Sequence, residues 1–266
     1  VFFVISGFII AIVALDRTGQ PRMSPGEYAK RRFMRIVPFM WVCTIGYNLL
    51  VFLGTGSVEW LPALRALVLW PVGELKPNVL WSLRHEFLFY LLFGLTMMVP
   101  RKRPQWLILW FAAPLIVYAA VLPFDPATTP WHPYNIELVQ VVILGAGTGA
   151  NVQLGVGFLL GMLWLRQHRL LRAELRHGLW VSSAATLLGA MIVWSLALEP
   201  GLLRTLLWTA IAGPIVYTGI IARSTGGWLH RVGLLLGNAS FSTYLVHNAV
   251  LLIVLEASRR LTGLPL

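Results

Sequence analysis

The sequence predicts an all-α fold, a polytopic bundle of about eight transmembrane helices, on the strength of three observations. Of the 266 residues, 58% are apolar and 12% are charged, and the mean hydropathy is +0.74. Soluble domains carry about 25% charged residues, and a water-soluble core cannot hide this much apolar surface. Long apolar runs recur along the chain, and basic residues concentrate in alternate connections between them. In lipid, an open chain satisfies its own backbone only as helices.

Eight apolar runs bounded by charged or turn residues are the predicted spans. Their ranges are 1–15, 33–53, 79–99, 105–122, 151–165, 179–198, 203–222 and 234–255. A span needs about 20 residues, so the first run is short. Because the chain also begins with Val1, we expect it to be a fragment whose upstream end is missing. Two further runs, 60–70 and 136–146, are too short to cross a bilayer and are predicted to be interfacial or re-entrant.

The distribution of Lys and Arg predicts the orientation of the spans. One alternate set of connections holds 15 of the 21 basic residues, the other set holds 5, and Arg84 lies within a span. The positive-inside rule places the richer set in the cytoplasm. A pI near 10.7 is typical of nucleic-acid-binding proteins, but basic clusters between apolar runs are the pattern of membrane topology. We expect residues 1–266 to form one membrane-embedded domain that binds no nucleic acid.

The third predicted span carries ionisable residues, which mark functional sites within a membrane. Helical spacing puts Ser82, Glu86 and Phe89 on one face and points Arg84 away from it. We therefore take Glu86 as a candidate catalytic residue, with Trp81 and Ser82 as candidate substrate contacts. The alternative is a charge pair between Glu86 and a basic residue of another helix, although burying such a pair is a weak way to gain stability.

The last predicted span carries a second polar face. Ser240, Tyr244 and His247 follow the spacing i, i+4, i+7. His247 is a candidate catalytic residue and Tyr244 a candidate substrate contact, and a hydrogen-bonded structural histidine is the alternative. From the extracytoplasmic side, Glu86 and His247 lie at similar depths of about 10–12 Å. We expect the two residues to line one cavity that opens toward that side.

Two further features have both a functional and a structural interpretation. Arg32 and Arg35 begin the second span on the cytoplasmic side, and paired guanidinium groups grip phosphate oxygens well. The alternative is a topology anchor that reaches lipid headgroups. In the first span, Ser6 is a candidate substrate contact or nucleophile, whereas Ser6-Gly7 also suits close helix contact. No cluster of residues has metal-ligand spacing, so no metal site is expected.

Four motifs follow one another along nearly the whole chain. They are FFVISGF at 2–8, RRFMRIVP at 31–38, WSL with Glu86 and Phe89-Tyr90 in 81–90, and Gly237 with SFSTYLVH at 240–247. Together they resemble the membrane-bound acyltransferase-3 family, whose members O-acylate surface glycans, lipopolysaccharide O-antigen, exopolysaccharides and some small molecules. Phe241 departs from the pattern, because the family often has Tyr there.

The resemblance implies a multi-pass enzyme of the bacterial inner membrane with no permanently bound cofactor. Its donor would be cytoplasmic acyl-CoA, usually acetyl-CoA, and its acceptor a polyprenyl-linked or exported saccharide. Arg32 and Arg35 match the arginines associated with donor use. The family's catalytic His lies in a helix upstream of the FFVISGF motif, so this domain would lack its first helix. Glu86 or His247 would then orient that His or bind acceptor hydroxyls.

A transporter or flippase for a lipid-linked saccharide is the competing hypothesis. Such a protein would use Glu86 and His247 as a proton relay within the membrane. The sequence contains no inverted repeat and no paired broken helices, the features typical of transporters. The absence of these features from the sequence favours the enzyme.

Overall fold

The computed structural model describes residues 2–99, 103–121, 137–145, 149–167, scattered positions between 180 and 191, 202–221 and 227–262. Within these residues the chain forms helices joined by turns, and no β-strand is present there. The helices with defined ends are α1 (Phe2–Ala14), α2 (Pro25–Thr55), α3 (Trp60–Leu67), α4 (Leu80–Met97), α5 (Arg103–Val121), α6 (Glu137–Val142), α7 (Ala150–Gln167), α8 (Leu202–Ile221) and α9 (Trp228–Thr262).

The all-α prediction is confirmed for the described residues, but the predicted count of about eight spans is not. Each predicted span coincides with a helix except 179–198, which lies largely outside the described residues. By length and composition, two described helical segments can cross a membrane, Pro25–Thr55 and Ala239–Arg259. Helix α1 has 13 residues, and α4 has 18 residues that include Arg84, His85 and Glu86. A transmembrane helix needs about 20 predominantly apolar residues, so α1 is too short and α4 is too polar to meet this requirement.

Helix α2 begins eight residues before the predicted span because its start is polar. The Ser24 hydroxyl accepts a hydrogen bond from the Glu27 backbone N–H at 3.2 Å, and Pro25 takes the first helical position. This is the usual N-terminal arrangement, in which a side chain satisfies an N–H that the helix leaves unpaired. The apolar run predicts only the part of α2 that can lie in lipid, and it therefore leaves out the first two turns of the helix, which are polar.

The chain divides into two compact units, and the division cuts through α2 and α4. The first unit is Val1–Ala29 with Leu88–Arg223, and the second unit is Lys30–Phe87 with Ser224–Leu266. Each unit therefore combines segments that are distant in sequence.

In the first unit, α1 and α7 approach each other closely. A Cβ atom added to Gly7 would lie 2.1 Å from the Leu154 carbonyl oxygen, and one added to Gly157 would lie 1.9 Å from that of Val4. Side chains larger than hydrogen would force the backbones apart, so glycine is required at both positions. This geometry supports the helix-contact interpretation of the Ser6-Gly7 pair.

Aromatic rings and a buried amide also pack among the described residues of this unit. Phe89 of α4 stacks on Trp110 of α5 with ring centroids 6.1 Å apart, and it also contacts Phe158 of α7. The Asn151 side chain is fully buried and donates hydrogen bonds to backbone carbonyls, the shortest at 2.8 Å to Ile143. That bond attaches the start of α7 to the turn that follows α6.

In the second unit, residues 60–76 fold back alongside α2. The Trp41 indole N–H donates to the Leu67 carbonyl at 2.8 Å, and the Asn48 amide donates to the Lys76 carbonyl at 3.1 Å. Trp41 lies about 21 Å and Asn48 about 10 Å along α2 from its last residue, Thr55. The segment thus runs back beside α2 and returns, and its interfacial or re-entrant position in a membrane stays a prediction.

Candidate functional site

Helices α4 and α9 meet through a set of hydrogen bonds at the start of α4. The Tyr244 hydroxyl of α9 donates to the Val79 carbonyl at 2.7 Å, and it is also hydrogen-bonded to the Ser82 hydroxyl. The Ser82 hydroxyl also donates to the Val79 carbonyl at 3.3 Å, so either hydroxyl can be the donor in the bond between Ser82 and Tyr244. Two candidate substrate contacts proposed from separate motifs, Ser82 and Tyr244, are therefore direct neighbours.

Glu86 lies one helical turn beyond Ser82 on the same face of α4. Its side chain is buried, with 7% exposure, and its charge interacts electrostatically with Tyr244. A buried carboxyl group beside hydroxyl groups is an arrangement common at acid–base sites. The structure thus brings together Glu86, Ser82 and Tyr244, each of them a predicted site residue.

Arg84 faces away from Glu86 and is hydrogen-bonded to the segment 60–76. Its guanidinium donates to the Pro71 carbonyl at 3.1 Å and to the Gly73 carbonyl at 2.7 Å. The direction of the Arg84 side chain agrees with the prediction from helical spacing that it points away from the face of Ser82 and Glu86. Helix α4, which carries Glu86, is therefore hydrogen-bonded to residues 71 and 73, in the part of the segment that leads back to α4.

The sequence analysis missed His85, the most deeply buried ionisable side chain of this region. Its ring is 1% exposed, and its Nδ1 is 2.8 Å from the Trp81 carbonyl one turn earlier. The signal was an ionisable residue inside an apolar run, beside Glu86. The pair His85-Glu86 begins like the zinc-binding motif HExxH, which the sequence does not complete because position 89 is Phe.

His247 does not occupy the same surroundings as Glu86. Its side chain is exposed, its Nδ1 is 2.5 Å from the Tyr244 carbonyl, and its ring lies 5.6 Å from the Tyr244 ring. Ser240 is also exposed, and its hydroxyl donates to the Gly237 carbonyl at 2.7 Å. Of the predicted polar face of α9, Tyr244 is the residue that bonds to α4. A cavity shared by Glu86 and His247 stays a prediction.

The other predicted site residues differ in exposure. On α2, Arg32 is buried while Arg35, one turn later, is exposed. Trp81 is exposed at the start of α4, and Ser6 is buried in α1 within the first unit. In the part of the chain that the structure describes, no group of three or more His, Cys, Asp or Glu residues is arranged to hold a metal ion.

The arrangement around Glu86 suits proton transfer and the binding of hydroxyl or carbonyl oxygens. A buried carboxylate can orient or exchange a proton with a neighbouring base, and hydroxyl groups can donate hydrogen bonds to developing negative charge. Low dielectric surroundings strengthen both effects.

Comparison with known proteins covers almost the entire chain. A family model described as an acyltransferase domain matches residues 1–265. The exopolysaccharide production protein ExoZ of Rhizobium meliloti (strain 1021) is 28% identical, over 97% of this chain and 77% of its own length. The acyltransferase MdmB of Streptomyces mycarofaciens is also 28% identical, over 99% of this chain and 69% of its own length. No solved structure matches the chain.

Proposed function

Because the chain belongs to the acyltransferase-3 family, we propose that it transfers an acyl group, specifically acetyl, from cytoplasmic acyl-CoA to a hydroxyl of an exported or lipid-linked saccharide. The observation that carries this proposal is the match of the family model to residues 1–265. The name of one relative, an exopolysaccharide production protein, supports a saccharide as the acceptor. Family membership makes the chain an acyltransferase and removes the reason to prefer a flippase.

The reaction breaks the thioester C–S bond of acyl-CoA and forms an ester C–O bond to the acceptor. The acceptor hydroxyl loses a proton, and the CoA thiolate gains one. Such a transfer needs a base, hydrogen-bond donors for the tetrahedral oxyanion, and a grip on the CoA phosphates. We assign the phosphate grip to Arg32 and Arg35, and the orientation of the base and acceptor to Glu86 with Ser82 and Tyr244. His247 and Trp81 contact the acceptor in this scheme.

We further propose a multi-pass protein of the bacterial inner membrane, with the start of α2 at the cytoplasmic face. The basic cluster of residues 30–35 opens α2, and 15 of the 21 Lys and Arg residues fall in the same alternate set of connections. This orientation puts the donor grip on the side where acyl-CoA is made. It puts Glu86 nearer the side where exported saccharides arrive.

Donor binding tests the proposal at Arg35. In the naturally expressed protein, purified in detergent, Arg35→Lys should weaken binding of labelled acetyl-CoA about tenfold, because Lys keeps the charge but loses the planar fork. The matched control is Arg31→Lys, an exposed position of the same cluster. If Arg35→Lys binds acetyl-CoA as tightly as Arg31→Lys and the unchanged protein do, the basic cluster is only a topology anchor.

Transfer itself is tested with the same labelled acetyl-CoA and a saccharide extract from the producing cell. We expect label to appear in saccharide only when protein and acceptor are both present. Hydrolysis of acetyl-CoA without labelled saccharide would contradict the proposed acceptor.

A further inference from the structure

Helices α1 and α7 run in the same direction, so they end on the same side of the first unit. A Cβ atom added to Gly157 would meet Val4, and one added to Gly161, further along α7, would meet Ala11, further along α1. Contacts that advance together along both helices make the helices parallel. The connections that follow α1 and α7 both belong to the basic-rich set, which the proposed orientation places in the cytoplasm.

A tight hairpin of residues 15–22 follows α1 and is held by its own hydrogen bonds. The Asp16 carboxylate accepts three of these bonds, two of which come from Thr18. The Arg22 N–H donates to the Ala14 carbonyl at 2.9 Å, which closes the hairpin. The hairpin is therefore a fixed support for the side chains that it carries.

Arg166, in the last turn of α7, lies against this hairpin at Gly19. A Cβ atom added to Gly19 would be 3.2 Å from the Met162 Cε and 4.0 Å from a guanidinium nitrogen of Arg166. Gly19 has a φ of +82°, a backbone conformation that glycine adopts without strain. Glycine at this position thus lets the Arg166 guanidinium approach the backbone of the hairpin.

Three exposed arginines lie at this end of the first unit, Arg17 and Arg22 on the hairpin and Arg166 on α7. We call them the arginine patch. In the part of the chain that the structure describes, none of the three forms an ion pair. Asp16 is the carboxylate that the sequence places in α1, the hairpin and α7, and it is hydrogen-bonded within its own turn. Three positive charges against one negative charge leave an excess of two.

The arginine patch suits a phosphate monoester. Such a group carries about 1.5 to 2 negative charges at pH 7, which matches the excess on the patch. Guanidinium groups bind phosphate oxygens through paired hydrogen bonds, and a fixed support lowers the entropy lost on binding. Setting the topology needs only basic residues in the connection and does not need this geometry. The ordered hairpin and its contact with Arg166 therefore favour a binding site.

We propose that the arginine patch binds the 3′-phosphate of the acyl-CoA donor. This inference rests on the proposed function, which supplies the donor and its cytoplasmic side. In CoA the 3′-phosphate is a monoester on the ribose, at the opposite end of the molecule from the thioester. While the thioester enters the protein, the nucleotide end stays in water, where the exposed guanidinium groups lie. The patch thereby distinguishes acyl-CoA from an acyl group carried on phosphopantetheine, which lacks this phosphate.

Two donors that differ by this phosphate, acetyl-CoA and acetyl-dephospho-CoA, test the proposal. Isothermal titration calorimetry measures the binding of each donor to the purified full protein in detergent. The unchanged protein should bind acetyl-CoA about tenfold more tightly, which is the effect of one hydrogen-bonded charged contact.

Arg166→Gln and Arg22→Gln should each reduce this preference to about twofold, because acetyl-CoA loses a partner and acetyl-dephospho-CoA does not. Both arginines are exposed, and a partial loss of folded protein would lower the binding of both donors alike. The matched control is Arg231→Gln, which removes an exposed arginine of the same basic-rich set from α9. It should keep the full preference.

The results that would overturn the proposal differ from one another. Equal affinities for the two donors in the unchanged protein would exclude a 3′-phosphate site and leave the proposed function intact. Binding of neither donor would contradict the proposed function, and this inference with it. An equal loss of preference in Arg231→Gln would reduce the patch to general surface charge. If phosphatidic acid, a lipid with a phosphate monoester, abolishes the preference when added to the micelles, the patch binds lipid headgroups instead.

Discussion

Two helix contacts, α1 with α7 and α4 with α9, join their helices by different means. At the first, Gly7 and Gly157 let the backbones approach until no side chain fits between them. At the second, Tyr244 and Ser82 join the helices by hydrogen bonds, with Glu86 buried one turn away. Helices in lipid gain little from the hydrophobic effect and associate by close packing or by polar contacts. The α1–α7 contact is therefore one of close packing, whereas the α4–α9 contact holds buried polar groups, which are costly within a membrane.

The largest expected effect is on stability at the glycine contact. Gly157→Ala puts a methyl group 1.9 Å from the Val4 carbonyl oxygen, so α1 must move away from α7. We expect a loss of more than about 3 kcal/mol, at or above the upper end of ordinary overpacking, and little folded protein. Fluorescence-detected size exclusion after heating measures the midpoint of unfolding.

Gly46→Ala is the matched control for this variant. Apart from the backbone of α2 itself and the adjacent residues, no atom lies within 4 Å of the added methyl group, and alanine favours a helix over glycine by up to about 1 kcal/mol. It should leave the unfolding midpoint unchanged or raise it slightly. Equal midpoints for the two alanine variants would mean that α1 and α7 do not pack this closely.

The polar contact should respond to Tyr244→Phe in activity more than in stability. The variant keeps the ring and loses one hydroxyl, at a cost of about 1 kcal/mol of stability. Because Ser82 loses its oriented neighbour beside Glu86, we expect acyl transfer to fall about tenfold per folded molecule. Ser240→Ala removes an exposed hydroxyl of the same helix and should change neither quantity. Activity that falls only in step with folded protein would make Tyr244 a packing residue.

The smallest expected effect is on stability, in the exposed turn after α1, which is not part of a helix contact. The Asp16 carboxylate accepts hydrogen bonds from the Thr18 hydroxyl at 2.7 Å and the Gln20 N–H at 2.9 Å. These bonds hold the pKa of Asp16 below its ordinary value of 3.8. A lowered folded-state pKa stabilises the protein fully above pH 3.8, and this stabilisation is lost as the pH falls through the folded-state pKa.

Thermal unfolding of Asp16→Asn and the unchanged protein between pH 6 and pH 3 measures this effect. The unchanged protein should have a slightly higher midpoint at pH 6, and the gap should narrow below pH 3.8. A gap that is constant across this range would mean that the carboxylate does not stabilise the turn.

Periodicity predicted where helices form, but it did not predict which helices meet. Ser82, Glu86 and Tyr244 stood out because polar residues inside apolar runs are costly. The bond between Ser82 and Tyr244 joins positions 162 residues apart, and no local pattern contains that information. His247 was grouped with Tyr244 by spacing, yet three residues turn a helix about 60° short of a full circle, and its side chain is exposed.

The close approach of α1 and α7 and the fold-back of residues 60–76 along α2 were also beyond the sequence pattern. The residue pair Ser6-Gly7 suggested a helix contact, but its partner Gly157 became evident only in the fold. The fold-back of residues 60–76 depends on contacts such as the hydrogen bond from the Trp41 indole to the Leu67 carbonyl, 26 residues later. Both features depend on tertiary neighbours, which hydropathy does not encode.

The most direct test of the central claim, that the α4–α9 contact is where acyl transfer is organised, is the activity of Glu86→Gln. Gln keeps the size and hydrogen-bonding capacity of the side chain and removes its charge and its exchangeable carboxyl proton. With labelled acetyl-CoA and saccharide acceptor, activity per folded molecule should fall by about 100-fold or more, and Glu256→Gln should retain full activity. Retained transfer in Glu86→Gln, or a loss that only follows protein abundance, would contradict the claim.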